Sequence, residues 1–318
     1  TGYNVVGYLP GQVDSTIVIG AHYDHLGYGG PGSGSRYLGE EKLIHNGADD
    51  NGSGTSVLLE LARYYASRPD ELRHSLLFAA FSGEEFGILG SGHYAKNMTV
   101  DSSRVRMMIN MDMVGRLSQQ DSGLAVLGTG TTEAFAAYFD SLKRDDVTIV
   151  QKKAGQGPSD HTAFYNRSIP VLMFFTGAHN DYHKPEDDIE KIDFAGLVKV
   201  ADVVKDAIDY FDEYSGALTF VKTADPSEGK RQSQFKVTLG IMPDYVAEVK
   251  GVKVDNVVPD RPAEKAGILA GDIVVQMGDI EIGDIYDYMG ALGKFKKGDS
   301  CLVRVIRGET PVEVTVVF

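Results

Sequence analysis

An α/β fold, with a mostly parallel central sheet and helices on both faces, is predicted by the order of apolar runs through residues 1 to about 215. Strand-like runs alternate with segments of helical spacing, the pattern of βαβ units. Four of the runs also end in chemically active residues. Ile17–Gly20 leads into His22 and Asp24, Leu76–Phe81 into Glu84 and Glu85, Val105–Met111 into Asp112, and Ile169–Phe175 into a loop with His183. Open α/β sheets place their sites beyond the carboxyl ends of the strands, so these residues are expected along one edge.

The elements between the strands follow from periodicity and breakers. Ser53–Tyr65, Thr132–Leu142 and Phe194–Tyr210 have the spacing of helices with one apolar face. The Gly-rich stretch 27–39 reads as a loop beside the site. Thr223–Ser233 is polar, with Pro226 and Gly229, and reads as part of a linker. Beyond it, short strands are expected at Lys236–Ile241, Gly251–Val258, Asp272–Met277, Cys301–Arg307 and Val312–Phe318. Short helices are expected near Ala263–Ala266 and Ile285–Leu292. The division is therefore 1–218, a linker at 219–232, and a small α+β domain at 233–318, consistent with two domains in 318 residues.

Bulk properties narrow the function. With 42% hydrophobic and 24% charged residues the chain is an ordinary globular protein. A net charge of −14 and no basic tract argue against nucleic acid as a partner. No apolar run approaches the ~20 residues needed to span a bilayer. Cys301 is the lone cysteine, which excludes an intrachain disulfide and a cysteine-based zinc site. The chain begins Thr1-Gly2-Tyr3, without Met or a signal segment, and reads as trimmed.

The active residues have bland explanations one at a time. His22 and Asp24, two apart on a strand end, share a face, and a ligating His usually donates its other ring N–H to an oxygen. Asp24 is then its orienter or an indirect ligand, unless both are surface residues. Asp49-Asp50 precede Asn51-Gly52-Ser53-Gly54, where a carboxylate bridging two cations and a helix N-cap are both open. Glu84-Glu85 are costly to bury together without a cation. One of them would ligate while the other takes a proton from bound water, or Ser82 and Glu85 form a capping box. Asp112 in an apolar strand calls for a metal or a pairing with Arg104, Arg106 or Arg116. Taken together at matching strand ends, five such accidents are improbable. His and carboxylate donors without Cys suit a pair of zinc ions, which can polarise a carbonyl between them.

As a set, Ala21-His22-Tyr23-Asp24, Gly47–Gly54, Phe81-Ser82-Gly83-Glu84-Glu85-Phe86-Gly87, Asn110–Gly115 and Tyr182-His183 resemble the zinc-dependent aminopeptidases of the MH clan. That resemblance implies a zinc-peptidase, phosphorylase/hydrolase-like domain. It implies one zinc on His22 and Asp112, a second on Glu85 and His183, and Asp49 bridging them with a cis Asp49–Asp50 peptide. Glu84 would be the general base and later the acid, Asp24 the orienter of His22, and Tyr182 an oxyanion stabiliser. Asp160 and His161 are read as supporting residues. The implied substrates are peptides with free N-termini. Residues from about 230 resemble a permuted bacterial PDZ domain, through Thr238–Met242, Arg261–Ile268 and Gly271–Val274. Leu239, Gly240, Ile241 and Met242 would capture a peptide's C-terminal carboxylate, and the peptide would add as a strand beside Ile241–Tyr245. Pro243 lacks a ladder donor there. The pairing of the two families implies an extracytoplasmic location, periplasmic or secreted.

Two other readings compete. A single-zinc glutaminyl cyclase shares the fold, but this chain has no Trp and Tyr182 stands where such enzymes use one. A peptide-binding protein led by its PDZ domain would treat the peptidase domain as a scaffold, which intact Glu84 argues against. A combined arrangement, with the PDZ domain gating the zinc site, is a third expectation.

Overall fold

A computed structural model describes residues 2–30, 33–37, 39–119, 123–224, 237–244, 247, 249–258 and 260–318. The first unit contains β1 (Val5–Leu9), β2 (Val13–His22), α1 (Gly54–Ala66), β3 (His74–Phe81), α2 (Leu89–Lys96) and β4 (Val105–Met111). It continues through β5 (Leu124–Leu127), α3 (Glu133–Ser141), β6 (Ile149–Lys152), α4 (His161–Tyr165), β7 (Val171–Phe175) and α5 (Phe194–Glu213). The strands form one sheet in the order β1-β3-β2-β4-β7-β5-β6. Strands β3, β2, β4 and β7 run parallel, while β1 pairs antiparallel with β3 and β5 with β7. The expected mostly parallel sheet is present, with antiparallel strands towards its edges.

Register brings the strand ends level. His22 lies opposite Phe81, Gly20 opposite Asn110, and Asn110 opposite Met173. The residues after β2, β3, β4 and β7 therefore emerge along one edge.

Burial on both faces explains the apolar runs. Ile17 and Ile19 of β2 pack with Leu76, Met107 and Ile109 against Val57, Leu61, Phe135, Val204 and Phe211 from α1, α3 and α5. Val18, pointing the other way, joins Leu77 and Met108 against Tyr94 of α2 and Phe164 of α4. Each such buried side chain contributes roughly 1.5–3 kcal/mol relative to exposure. The three expected helices are found as α1, α3 and α5. Helix α1 ends before Pro69, whose ring pushes Arg68 out of the helical region to φ −136°, ψ 50°. Helix α5 starts where the Asp193 carboxylate accepts the Gly196 N–H.

Residues 220 and 221 of the expected linker at 219–232 are held on the first unit. The first unit comprises Thr1–Gly177 and Asp181–Asp225, the second Ala178–Asn180 and Pro226–Phe318. The Val221 N–H donates to the Thr131 carbonyl at 2.8 Å, and Phe220 packs on Tyr165 with ring centroids 5.3 Å apart. Residues 225–236, the rest of the expected linker and the start of the next domain, lie outside the described set.

The second unit holds β8 (Ile241–Pro243), β9 (Val252–Val257), α6 (Pro262–Ala266), β10 (Ile273–Met277), β11 (Ile280–Glu281), α7 (Ile285–Leu292), β12 (Ser300–Arg307) and β13 (Thr310–Val317). Its antiparallel sheet runs β13-β12-β10-β9-β8, with β11 beside β10. Leu239, Val254, Ala263, Val274, Met277, Val303 and Val305 form its core. The strand expected at Lys236–Ile241 begins only at Ile241. Gly240 sits at φ 80°, and a Cβ there would stand 2.1 Å from that of Arg261, so the chain turns where a strand was expected.

Candidate metal centre and active site

Two triads of donor atoms meet at the carboxyl edge and share one carboxylate, Asp50. His22 Nε2 lies 3.4 Å from Asp50 Oδ1 and 3.4 Å from Asp112 Oδ1. His183 Nε2 lies 3.3 Å from Asp50 Oδ2 and 3.0 Å from Glu85 Oε2. His22, Asp50 and Asp112 are all buried. Contacts of 3.4 Å are long for hydrogen bonds, and His22 Nε2 has no hydrogen-bond partner among the described residues. Ligands ~2.0–2.1 Å from a tetrahedral zinc stand about 3.4 Å from one another, so the spacing and the donor types fit such an ion.

The Asp49 expectation is corrected here. Asp49 Oδ1 accepts the Gly115 N–H at 2.7 Å, and its backbone carbonyl accepts the Ser53 hydroxyl. A Cβ on Gly115 would stand 2.8 Å from that Asp49 oxygen, so only glycine lets the backbone come this close. Asp50, with φ −103° and ψ 90°, leaves the helical path of the 48–53 turn and carries its carboxyl to the two histidines. The cis peptide is Asp50–Asn51, one residue later than expected. The turn is also not a side-chain-capped helix start: the Asp187 carboxylate accepts the backbone N–H groups of both Asp49 and Asp50, at 2.9 and 3.0 Å.

The other bland explanations fail on geometry. Arg104 pairs with Asp14, Arg106 donates to the Tyr214 carbonyl, and Arg116 pairs with Asp181 and Asp187, so none pairs with Asp112. No helix starts at Ser82. Glu84 and Glu85 lie in a turn, and α2 begins at Leu89.

Asp24 supports His22 differently from expected. Its backbone carbonyl, 3.1 Å away, is the partner of His22 Nδ1, whereas its carboxylate is 3.9 Å off and accepts the Glu84 N–H at 3.1 Å. Asp24 thus ties the His22 strand end to the Glu84 turn. The Gly34 carbonyl is the matching partner of His183 Nδ1, at 3.0 Å. Each histidine therefore has a backbone oxygen on Nδ1, which leaves Nε2 directed at the triads.

The two glutamates are set apart electrically. Burial, reinforced by Asp112, Asp160 and Glu85 against the opposing pull of His22, pushes Glu84 up to about 9. Burial also acts on Glu85, but His183 and His25 outweigh it and hold that carboxyl down to about 2. His183 is pulled down by burial, yet Asp50 and Glu85 prevail and raise it to about 9. Neighbouring carboxyls separated in this way suit different tasks, one exchanging a proton and one staying anionic.

Sequence reasoning missed His25 and Asp187. His25 Nδ1 lies 2.7 Å from Glu85 Oε1, and His25, Asp50 and Glu85 could together hold an ion. Its position three residues after His22 was the available signal. Asp187, buried against Arg116 at 2.8 Å, sits in a polar loop with no distinguishing mark. Asp160 and His161 are buried beside the site and join neither triad.

His161 yields a pH prediction. It is fully buried, and burial lowers its imidazole to about 4, against the opposing field of Asp112. At pH 7 it is neutral folded or unfolded. As pH falls through 6.5 the unfolded chain takes up a proton that the native state refuses until about 4, so stability falls across that window. His161 accounts for up to about 3 kcal/mol of that loss. Urea midpoints at pH 7 and pH 4.5 should therefore fall less for His161→Gln than for the native chain. An equal fall in both would remove His161 as a source.

In the second unit, the Leu239 carbonyl accepts from the Ala263 N–H and the Gly240 carbonyl from the Val258 N–H, which fixes the 238–241 loop. The Gly240 N–H is already donated to the Thr238 hydroxyl, at 3.1 Å. The register of β8 shifts at Pro243, as expected of a residue without a ladder donor. The Met242 side chain and Tyr245 lie outside the described residues.

Residues 4–208 match the model of peptidase family M28, and residues 221–317 that of the PDZ domain. A probable leucine aminopeptidase of Trichophyton verrucosum is 30% identical over 213 residues, 64% of this chain and 54% of that protein. Aminopeptidase YwaD of Bacillus subtilis is 34% identical over 174 residues, 51% of this chain and 37% of that protein. Among solved structures, a zinc aminopeptidase of Bacillus subtilis aligns with a TM-score of 0.52 and 28% identity, covering 70% of this chain and 53% of that one. The chain spans about half the length of the first curated relatives it matches.

Proposed function

Because the chain belongs to peptidase family M28 and carries a PDZ domain, we propose that it is a zinc-dependent aminopeptidase using two ions. The observation that carries this reading is the pair of triads sharing Asp50, one on each carboxylate oxygen. His22, Asp112 and Asp50 Oδ1 would hold one ion, and Glu85, His183 and Asp50 Oδ2 the other. Bound zinc supplies Lewis acidity, lowering the pKa of a water and polarising a carbonyl.

The chain's own residues do the rest. Glu84 belongs to neither triad, and the cations those triads would hold favour its ionised form against the burial that raises it in their absence. It takes the proton of the attacking water at its carboxylate and returns it to the departing amine. The Tyr182 hydroxyl has no hydrogen-bond partner among the described residues, and it serves as donor to the oxyanion. The carboxylates of Asp24, Asp50, Glu84, Glu85 and Asp112 attract a cationic α-amino group, which favours cleavage at a free N-terminus. In the PDZ unit, the loop Leu239–Met242 takes a peptide C-terminus.

The test compares a short peptide with its N-acetylated twin, using zinc-loaded protein. Stepwise loss of the first residue from the free peptide alone is expected. Cleavage of both would point to an endopeptidase or carboxypeptidase. Cleavage of neither, with a fluorescent peptide held through its free C-terminus, would favour the PDZ-led reading.

A further inference from the structure

The loop that orients His183 also carries a cation to the rim of the site. The Arg36 N–H donates to the His183 carbonyl at 2.9 Å, and the Gly34 carbonyl faces His183 Nδ1. The loop is anchored further by Ser35, whose hydroxyl lies 2.7 Å from His45 Nε2 and accepts the Tyr37 N–H. From this fixed backbone the Arg36 guanidinium extends over the Tyr182 ring, 4.8 Å from its centroid. Tyr182 in turn stacks on His183, with centroids 3.8 Å apart.

Arg36 is half-buried, and no carboxylate among the described residues pairs with it. Three carboxylates, Asp50, Glu85 and Asp112, and one cation, Arg36, bear on Tyr182 with opposite sign. A substrate's cationic α-amino end is drawn to the carboxylates and repelled by Arg36. The part of the substrate beyond the scissile bond therefore lies towards the guanidinium, whose planar fork suits a carboxylate.

We infer that Arg36 is a specificity-determining residue that binds a carboxylate on the amino acid following the scissile bond. That carboxylate is either the C-terminus of a dipeptide or an acidic side chain. The inference rests on the aminopeptidase reading.

The experiment measures kcat/KM of zinc-loaded native protein, Arg36→Ala and Arg36→Lys on two matched pairs. One pair is leucylglycine and its amide, and the other leucylglutamate amide and leucylglutamine amide. The charged-over-neutral ratio should fall about tenfold in Arg36→Ala for at least one pair, and Arg36→Lys should retain part of it. A change in the first pair alone identifies the terminal carboxylate, and in the second alone the side chain. Unchanged ratios in both pairs, whatever the overall loss, would overturn the inference and leave Arg36 as a support for Tyr182. If the native protein cleaves the neutral members, the aminopeptidase reading survives that outcome. Cleavage of none of the four by native protein would overturn both.

Discussion

Glu84→Gln is expected to lower kcat by about 10²–10⁴-fold while leaving bound zinc unchanged. The substitution keeps the shape of the side chain and the N–H that Asp24 accepts, and it removes only the ability to carry a proton. Glu84 lies outside both donor triads, so the ions keep their ligands. Glu85→Gln, next in sequence, should do the reverse and weaken metal binding first, because that carboxyl faces His183 and is held anionic. Turnover measured with metal content by elemental analysis separates the two. A parallel loss of zinc and activity in Glu84→Gln would refute the division of labour between the glutamates.

Asp50→Ala and Asp49→Ala should fail in different ways. Loss of supporting residues around a metal typically costs 10–100-fold in affinity, so loss of a ligand shared by both triads should cost more than about 100-fold. Asp49→Ala instead strips the partner from the Gly115 N–H, which is worth roughly 1–3 kcal/mol of stability when buried and unpaired. Zinc titration against a competing chelator reads the first effect, and urea unfolding in excess zinc reads the second. Normal zinc affinity in Asp50→Ala, with loss in Asp49→Ala, would restore the assignment that the motif first suggested.

That pair marks where the sequence ceases to be informative. Asp49 and Asp50 are chemically identical neighbours in one motif, and nothing in composition or spacing tells which faces the histidines. The choice is made by contacts far along the chain. Gly115 occupies Asp49, and Asp187 holds both backbone N–H groups of the turn. Asp24 is a similar case. Its place beside His22 was legible, but its carboxylate goes to Glu84 because β2 and β3 are parallel neighbours in register. His25 sits in the same short motif and gains meaning only when the β3 turn brings Glu85 to 2.7 Å.

The sequence by itself determined the α/β class, the sheet edge that carries the site and the residue types gathered there. Apolar runs long enough for strands must be buried on both faces, and parallel strands end together. It also determined that Glu84-Glu85 and Asp112 need a compensating partner, since buried carboxylates are costly alone. Only the tertiary structure decided which carboxylate stands between His22 and His183, which glutamate stays anionic, and that Arg36 reaches Tyr182. Those outcomes depend on side-chain direction and on the summed field of groups up to 149 residues apart, such as Gly34 and His183. Local pattern carries no information about either.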